Sequence, residues 1–157
     1  MFNPITYMQQ LCNELSITSG KYKFTTVSGI GNLEGVLNNT RREKYFFAVD
    51  DSQDGLTFRG AGAGYFERRP YTVFLLGKAD YNDMQKRQEV LSEAKDIYRH
   101  LFSRMIKDKN AIPVINLEQI RFYEVPPAFA TGCSGLYFVF NVENPVNLVY
   151  DESAWNS

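Results

Sequence analysis

The sequence predicts an α+β domain, a mainly antiparallel mixed sheet packed on one face by a long amphipathic helix and a short N-terminal helix. Three observations lead there. Asn82 to Lys107 repeats apolar residues at helical spacing without a break. Several shorter runs are rich in aromatic and β-branched residues, the composition of strands. These runs fall in blocks, several before the long helix and two after it, which argues for an α+β sheet over a chain of parallel βαβ crossovers.

Taken in order, Pro4 to Leu15 reads as the short first helix. Asn3 suits its cap, and Pro4 suits the first helical position, where an N–H would have no partner. Ile5, Met8, Leu11, Cys12 and Leu15 form one apolar stripe. Lys21 to Val27 alternates as a strand. Gly29, Gly31 and Gly35 then read as a break in regular structure. Lys44 to Val49 and Leu56 to Arg59 flank a polar stretch containing Asp54-Gly55, which predicts a β-hairpin. Gly60 to Gly64 reads as a flexible Gly/Ala loop. Tyr71 to Leu76 is apolar on both faces, with Phe74 and Leu76 on one and Tyr71, Val73 and Leu75 on the other, so it belongs in the middle of a sheet or under a second layer.

The long helix opens with a capping-box pattern, Asn82 and Gln85. Its stripe runs through Met84, Val90, Leu91, Ala94, Ile97, Tyr98, Leu101, Phe102, Met105 and Ile106. Two strands follow. Ile120 to Val125 stops at Pro126-Pro127. Leu136 to Val142 sets Leu136, Phe138, Phe140 and Val142 against Tyr137, Val139 and Asn141 on the other face, and Pro145 marks its end. The organisation is therefore one domain over residues 1–150 with a polar tail, 151–157, that Trp155 pins down.

Composition narrows the function classes. The chain has 157 residues, enough for one domain with its own core. Seventeen basic residues face eighteen acidic ones, a net charge of −1, so no strongly basic field exists to drive nucleic-acid binding. Cys12 and Cys133 lie far apart with no CxxC or Cys/His spacing, which predicts neither a disulfide framework nor a zinc site and suits a reducing compartment. The longest apolar runs, Tyr45 to Val49 and Leu136 to Phe140, are too short to cross a bilayer. MFNPITYMQQ has no basic n-region or long apolar h-region, so no secretory signal is expected. Twelve Phe and ten Tyr suit strand positions, and Tyr also suits half-wet interfaces.

The motifs that resemble chemistry are incomplete. His100, the sole histidine, stands four residues after Asp96, the spacing of an ordinary helix-surface pair as much as of a base with its orienting carboxylate. Asp50, Ser52, Asp54 and Gly55 imitate the start of a calcium loop, but the twelfth position is Ala61, where the cation needs a bidentate Glu. Gly29-Ile30-Gly31 is followed by Glu34, where a dinucleotide loop needs Gly, and Gly60 to Gly64 carries no Lys-Ser or Lys-Thr pair. Acids such as Glu43 and Asp50 cannot be brought to one cleft by spacing alone. The Arg41-Arg42-Lys44 and Arg68-Arg69 clusters read as solvated surface or as contacts to phosphate or to an acidic neighbouring subunit. No catalytic, cofactor or metal residue is assigned.

The layout is more informative than any motif. PITYMQQLCNEL leads into a meandering strand region. RRPYTVFLLGKAD runs into the helix YNDMQKRQEVLSEAKDIYRHLFSRM, and TGCSGLYFVFNVENPV ends the sheet. In this arrangement, over most of its length, the chain resembles the tail-terminator (tail-completion, head–tail joining) proteins of tailed bacteriophages and prophages. The resemblance implies a structural protein, not an enzyme, that assembles into a ring, commonly hexameric. Such rings cap the finished tail tube and offer the head a docking surface. It implies partners that are copies of the chain itself and the tail-tube and head-completion proteins, in the host cytoplasm during assembly and then in the virion tail. No membrane and no cofactor enter. Subunit contacts are then expected at Arg68, Arg69, Tyr71, Val73, Tyr137 and Val139. The loops at 60–64 and 126–134 depart from the pattern and have no assigned role. Two other readings stand beside this one, a small bacterial adaptor domain with an unknown partner and an enzyme using scattered acids with His100.

Overall fold

A computed structural model describes residues 2–39, 42–51, 54–62, 64–126 and 132–156. The elements are α1 (Pro4–Glu14), β1 (Lys23–Val27), α2 (Gly29–Asn39), β2 (Tyr45–Asp50), β3 (Leu56–Arg59), β4 (Tyr65–Lys78), α3 (Met84–Asp108), β5 (Ile115–Glu124) and β6 (Cys133–Val146). The fold is α+β. One mixed sheet has the order β1-β2-β4-β6-β5, with β3 also paired to β4. Among the described residues only β1 and β2 run parallel, and the other pairings are antiparallel.

α1 and α3 cover one face. Asn3 caps α1, its Oδ1 accepting from the N–H groups of Ile5 (3.0 Å) and Thr6 (3.2 Å). Tyr7, Met8, Leu11 and Cys12 point inward from α1, and Ala94, Ile97, Leu101 and Met105 do so from α3. They meet Phe47, Val49, Tyr71, Val73, Leu75, Leu136, Phe138, Phe140 and Val142 of the sheet. Fully burying one such side chain contributes about 1.5–3 kcal/mol. Close approach of α3 requires Gly77, since a Cβ there would lie 2.7 Å from Val90 Cγ1. The cap of α3 is Asp83, whose Oδ1 accepts from the Lys86 N–H at 3.0 Å. The expected Asn82–Gln85 box is therefore displaced by one residue, to a side chain whose charge also suits the helix N-terminus. Gln85 instead reaches Glu89 (3.5 Å).

Two hydroxyls tie the helices down. Tyr7 donates to Asp108 Oδ2 at 2.8 Å, and Tyr22 to Glu93 Oε2 at 3.3 Å. Burial and then the neighbouring carboxylate push both phenols above their usual value near 10.

The glycine-rich segment read as a break is the helix α2. Leu33 and Leu37 are spaced one turn apart and pack with Val27, Phe46, Ala48, Phe74 and Leu76, so part of the sheet's second face has a layer of its own. The first turn of α2 is closed from a distance. Gly29 (φ +82°) donates its N–H to Asp50 Oδ1 (3.1 Å), and the Ser28 hydroxyl donates to Asp51 Oδ1 (2.6 Å). Ser28 N–H donates to Asn32 Oδ1 (2.9 Å). Asp50, the first position of the calcium-loop imitation, and its neighbour Asp51 thus face a helix N-terminus, where negative charge is favoured.

β2 and β3 do not form the expected hairpin with each other. Both pair with β4, end to end along one edge, with Asp50 opposite Thr72 and Leu56 opposite Arg68. Residues 52 and 53 of the connection lie outside the described residues. Pro70 stands in the gap between them. Lys78 sends its N–H to Lys44 on the β2 side, and Pro70 shares that parity, so its missing donor removes no ladder bond. Pro145, expected to end the last strand, sits inside β6 for the same reason. Glu143 directs its N–H to Val114, away from β4, and Pro145 has the same parity. Gly60 and Gly64 close the tip of the β3–β4 hairpin, the Gly60 N–H donating to Gly64 O (2.8 Å), and residue 63 of the expected loop lies outside the described residues. β4 and β6 begin earlier or end later than expected, and β5 starts at Ile115, with an irregularity between Asn116 and Arg121. After Val146 the chain leaves the sheet. Trp155 stacks on Tyr150 and remains exposed, so it does not pin the tail to the core. Among the described residues no helix is long and apolar enough to cross a membrane.

Two glycines give predictions of opposite sign. Gly135 has φ +131°, and a Cβ there would stand 2.0 Å from the Leu75 carbonyl oxygen. Gly135→Ala is expected to lower the unfolding free energy by roughly 2–4 kcal/mol. Gly31→Ala, in α2 with open space around it, raises it by about 0.5–1 kcal/mol. Urea unfolding checks both. The phenols give a pH dependence. Their folded pKa values exceed the unfolded value, so their contribution is complete below about pH 10 and is lost as pH rises above it. Stability measured from pH 8 to 11 should fall above about pH 10, and Tyr22→Phe should flatten the fall.

Candidate functional site

α2 covers the second face of the sheet only around β1, β2 and the adjoining part of β4. Farther along, strand parity turns a different set of side chains outward on that face. Arg68 comes from β4, Val139 and Asn141 from β6, and Asn116, Arg121 and Tyr123 from β5. They line a groove of about 660 Å³ whose wall is the Asn116–Arg121 irregularity, with Glu118 and Gln119 at its rim. Such irregularities bend a strand and redirect its side chains. A second depression, about 470 Å³, adjoins it at Asn116 and Glu118 and runs to Phe66, Pro113 and Val114.

The polar groups of this face are held in place. Arg68 Nε donates to Glu143 Oε1 at 2.9 Å while its guanidinium lies 4.9 Å from the Phe58 ring centroid. Asn116 Nδ2 donates to the same Glu143 oxygen (3.4 Å). Phe58 stacks on Phe66 (5.8 Å). Tyr123 stacks on Tyr137 (4.9 Å, 19°), which also meets Phe74 (5.3 Å). The result is a surface of tyrosine, valine, amide and guanidinium, with the Arg68–Glu143 ion pair at its margin. Surfaces of that composition suit protein contacts.

The residues expected at a subunit contact divide in two. Arg68, Tyr137 and Val139 come together on this second face. Tyr71 and Val73 point the opposite way and are buried beneath α1 and α3, Tyr71 stacked on Phe140 (5.7 Å), so neither is available to another subunit. Arg69 shares their side of β4 but lies beyond the helices, exposed, 5.8 Å from the Tyr71 ring. Asn116, Arg121, Tyr123 and Glu143 were not singled out from the sequence. Arg121 and Tyr123 alternate within an expected strand, which was a usable signal. Asn116 was hidden by the irregularity that breaks the period, and Glu143 lay past the expected strand end.

The residues considered for catalysis are dispersed. His100 is exposed on α3, and Asp96 pairs with Arg99 (3.6 Å). His100 borders a small depression of about 180 Å³ with Glu14, Ser16 and Arg104. Glu43 pairs with Lys23 (3.5 Å) at one end of β2, and Asp50 lies at the other end. Both cysteines are buried, and burial pushes their thiols up, away from the reactive thiolate. Ser134 spends its hydroxyl on the Arg87 carbonyl (2.8 Å). Among the described residues no group of three or more His, Cys, Asp or Glu could hold a metal ion. Arg41 lies outside the described residues, Arg42 is exposed, and Lys44 shares a depression of about 600 Å³ with Lys78, Lys86, Asp80 and Asp83. Compared with known proteins, the chain matches no family model and no curated protein.

Replacing one residue from each half of the expected contact set separates the core from the surface. Tyr71→Ala should cost roughly 3–5 kcal/mol of folding stability, as large-to-small changes of buried aromatic residues do. Arg68→Ala, which removes a partly exposed ion pair, should cost under about 1 kcal/mol. Chemical unfolding of the two variants reads both values.

Proposed function

We propose that this chain is a structural assembly protein of the tail-terminator kind. It acts as a ring at the end of a phage or prophage tail, where the head joins. The observation that carries the reading is the groove face beside α2, where Arg68, Arg121, Tyr123, Val139 and Asn141 stand uncovered on an otherwise well-packed sheet. A broad surface with rigid aromatic residues and a polar margin is what a repeated subunit contact uses. The layout of helices and strands, which resembles tail-terminator proteins, supplies the biological setting. In this reading the work is assembly and no bond is made or broken. The partners are other copies, the tail tube and the head-completion proteins, met first in the host cytoplasm and then in the virion tail.

Light scattering behind size exclusion tests the ring. A discrete mass near 108 kDa, about six chains of 18.0 kDa, is the expected outcome at high protein concentration. A strict monomer that captures one defined partner would instead favour a small adaptor domain. Deleting the gene from its phage or prophage should give tails of abnormal length or tails that fail to join heads. Normal tails of normal length would rule the proposal out.

A further inference from the structure

The segment after β6 gathers four exposed apolar side chains within eight residues. Leu148, Val149, Tyr150 and Trp155 are 56, 82, 70 and 67% exposed. Tyr150 and Trp155 stack on each other (6.4 Å, 24°). The backbone that presents them is nevertheless organised. Val149 N–H donates to Asn147 Oδ1 (3.0 Å), and Asp151 Oδ1 accepts from the Ser153 N–H (3.0 Å) and hydroxyl (2.6 Å), closing the short turn Glu152–Ala154. A segment already turned in this way loses less entropy on docking than a featureless one.

The same chain carries a surface that matches it. The groove beside the Asn116–Arg121 irregularity offers Val139 and Tyr123 to apolar and aromatic side chains and Arg121 to an acid. Residues 147–157 contain Asp151 and Glu152 and no basic residue. None of the described residues 147–156 lines that groove in their own chain. Val146 pairs with Tyr65 at the far end of the β4–β6 ladder, whereas Val139 pairs with Thr72, roughly 20 Å back along the strand. The segment thus starts where it projects beyond its own groove.

We propose that residues 147–156 are an exchange arm that seats in the Val139–Arg121 groove of a second copy of this chain. Leu148, Val149 and the Tyr150–Trp155 pair pack on Val139 and Tyr123, the apolar part of a largely polar groove, and Asp151 or Glu152 meets Arg121. The contact joins two different surfaces of the same chain, so it is heterologous and repeats from copy to copy until the rotation closes. This inference rests on the ring reading and names its contact.

Trp155 is the sole tryptophan, so its emission reports on the arm alone. Across a concentration series, assembly measured by light scattering should coincide with a blue shift of Trp155 emission and a several-fold loss of acrylamide quenching. Val149→Asp should weaken assembly at least tenfold, and a chain ending at Val146 should remain a monomer. Mixed Val149→Cys and Val139→Cys proteins should cross-link between chains under mild oxidation, since Cys12 and Cys133 are buried and do not compete. Assembly with Trp155 still fully quenched, and unchanged by Val149→Asp, overturns the arm and leaves the ring reading standing. A cross-link that forms only within a chain carrying both cysteines also overturns it, because the arm then folds onto its own groove. A monomer at every concentration overturns both.

Discussion

β4 and β6 run antiparallel for fourteen residues, from Tyr65 opposite Val146 to Lys78 opposite Cys133, and the other elements take their places from that ladder. β2 and β3 share one edge of β4, and β5 takes the free edge of β6. The ladder depends on a tight passage at Gly135, where the backbone takes a positive φ directly against the Leu75 carbonyl and leaves no room for a side chain. It also depends on both prolines within it having the parity that removes no ladder bond. Pro70 occupies the gap between β3 and β2, and Pro145 faces outward past the start of β5.

The length of this ladder separates two environments. From Tyr71 to Gly77 almost every β4 side chain is buried, because helices α1 and α3 lie on one face and α2 on the other. From Tyr65 to Pro70 exposed and half-buried residues alternate, because the strands have outrun those layers. The overshoot is held by its own contacts: Phe58 on Phe66, Arg68 over Phe58, and Arg68 with Glu143. A two-stranded hairpin alone is marginal in water, and here β6 supplies the third strand. The extension therefore stays ordered without a helix behind it, and its faces remain available.

Much of this was legible in the sequence wherever the signal is local. The stripe of α3, the Asn3 cap of α1 and the two-faced apolar pattern of Tyr71 to Leu76 follow from period and side-chain chemistry alone. The side assignments on β4 and β6 were also readable, including the opposition of Tyr137 and Val139 to Phe138 and Phe140. Local signals failed where the cause was distant. α2 opens with Gly29 and contains two more glycines, so its sequence argues against a helix, yet Asp50 and Asp51 at the end of the neighbouring strand close its first turn and Phe46 and Phe74 pack on Leu33 and Leu37. β2 and β3 were read as each other's partners because they are neighbours in sequence, whereas the longer β4 takes both. The contact set mixed buried and open residues for a related reason. Period two shows that Tyr71 and Val73 share a face, but only the helix packing shows which face is closed.

The sheet ends bear on how copies of this chain would meet. Among the described residues β1, β3 and β5 each pair on one side only, and a free edge invites edge-to-edge addition. Here β1 is five residues long and β3 four, and β5 is broken by its irregularity between Asn116 and Arg121, so none presents a long regular ladder to a neighbour. The feature that spoils β5 as an edge also raises the wall of the groove lined by Val139, Arg121 and Tyr123. In the proposed assembly, association would thereby be steered from the edge, where strands add without limit, to a face with a defined shape and charge. A face-to-arm contact has one geometry per pair of copies, and a single repeated geometry is the requirement for an assembly that closes instead of growing.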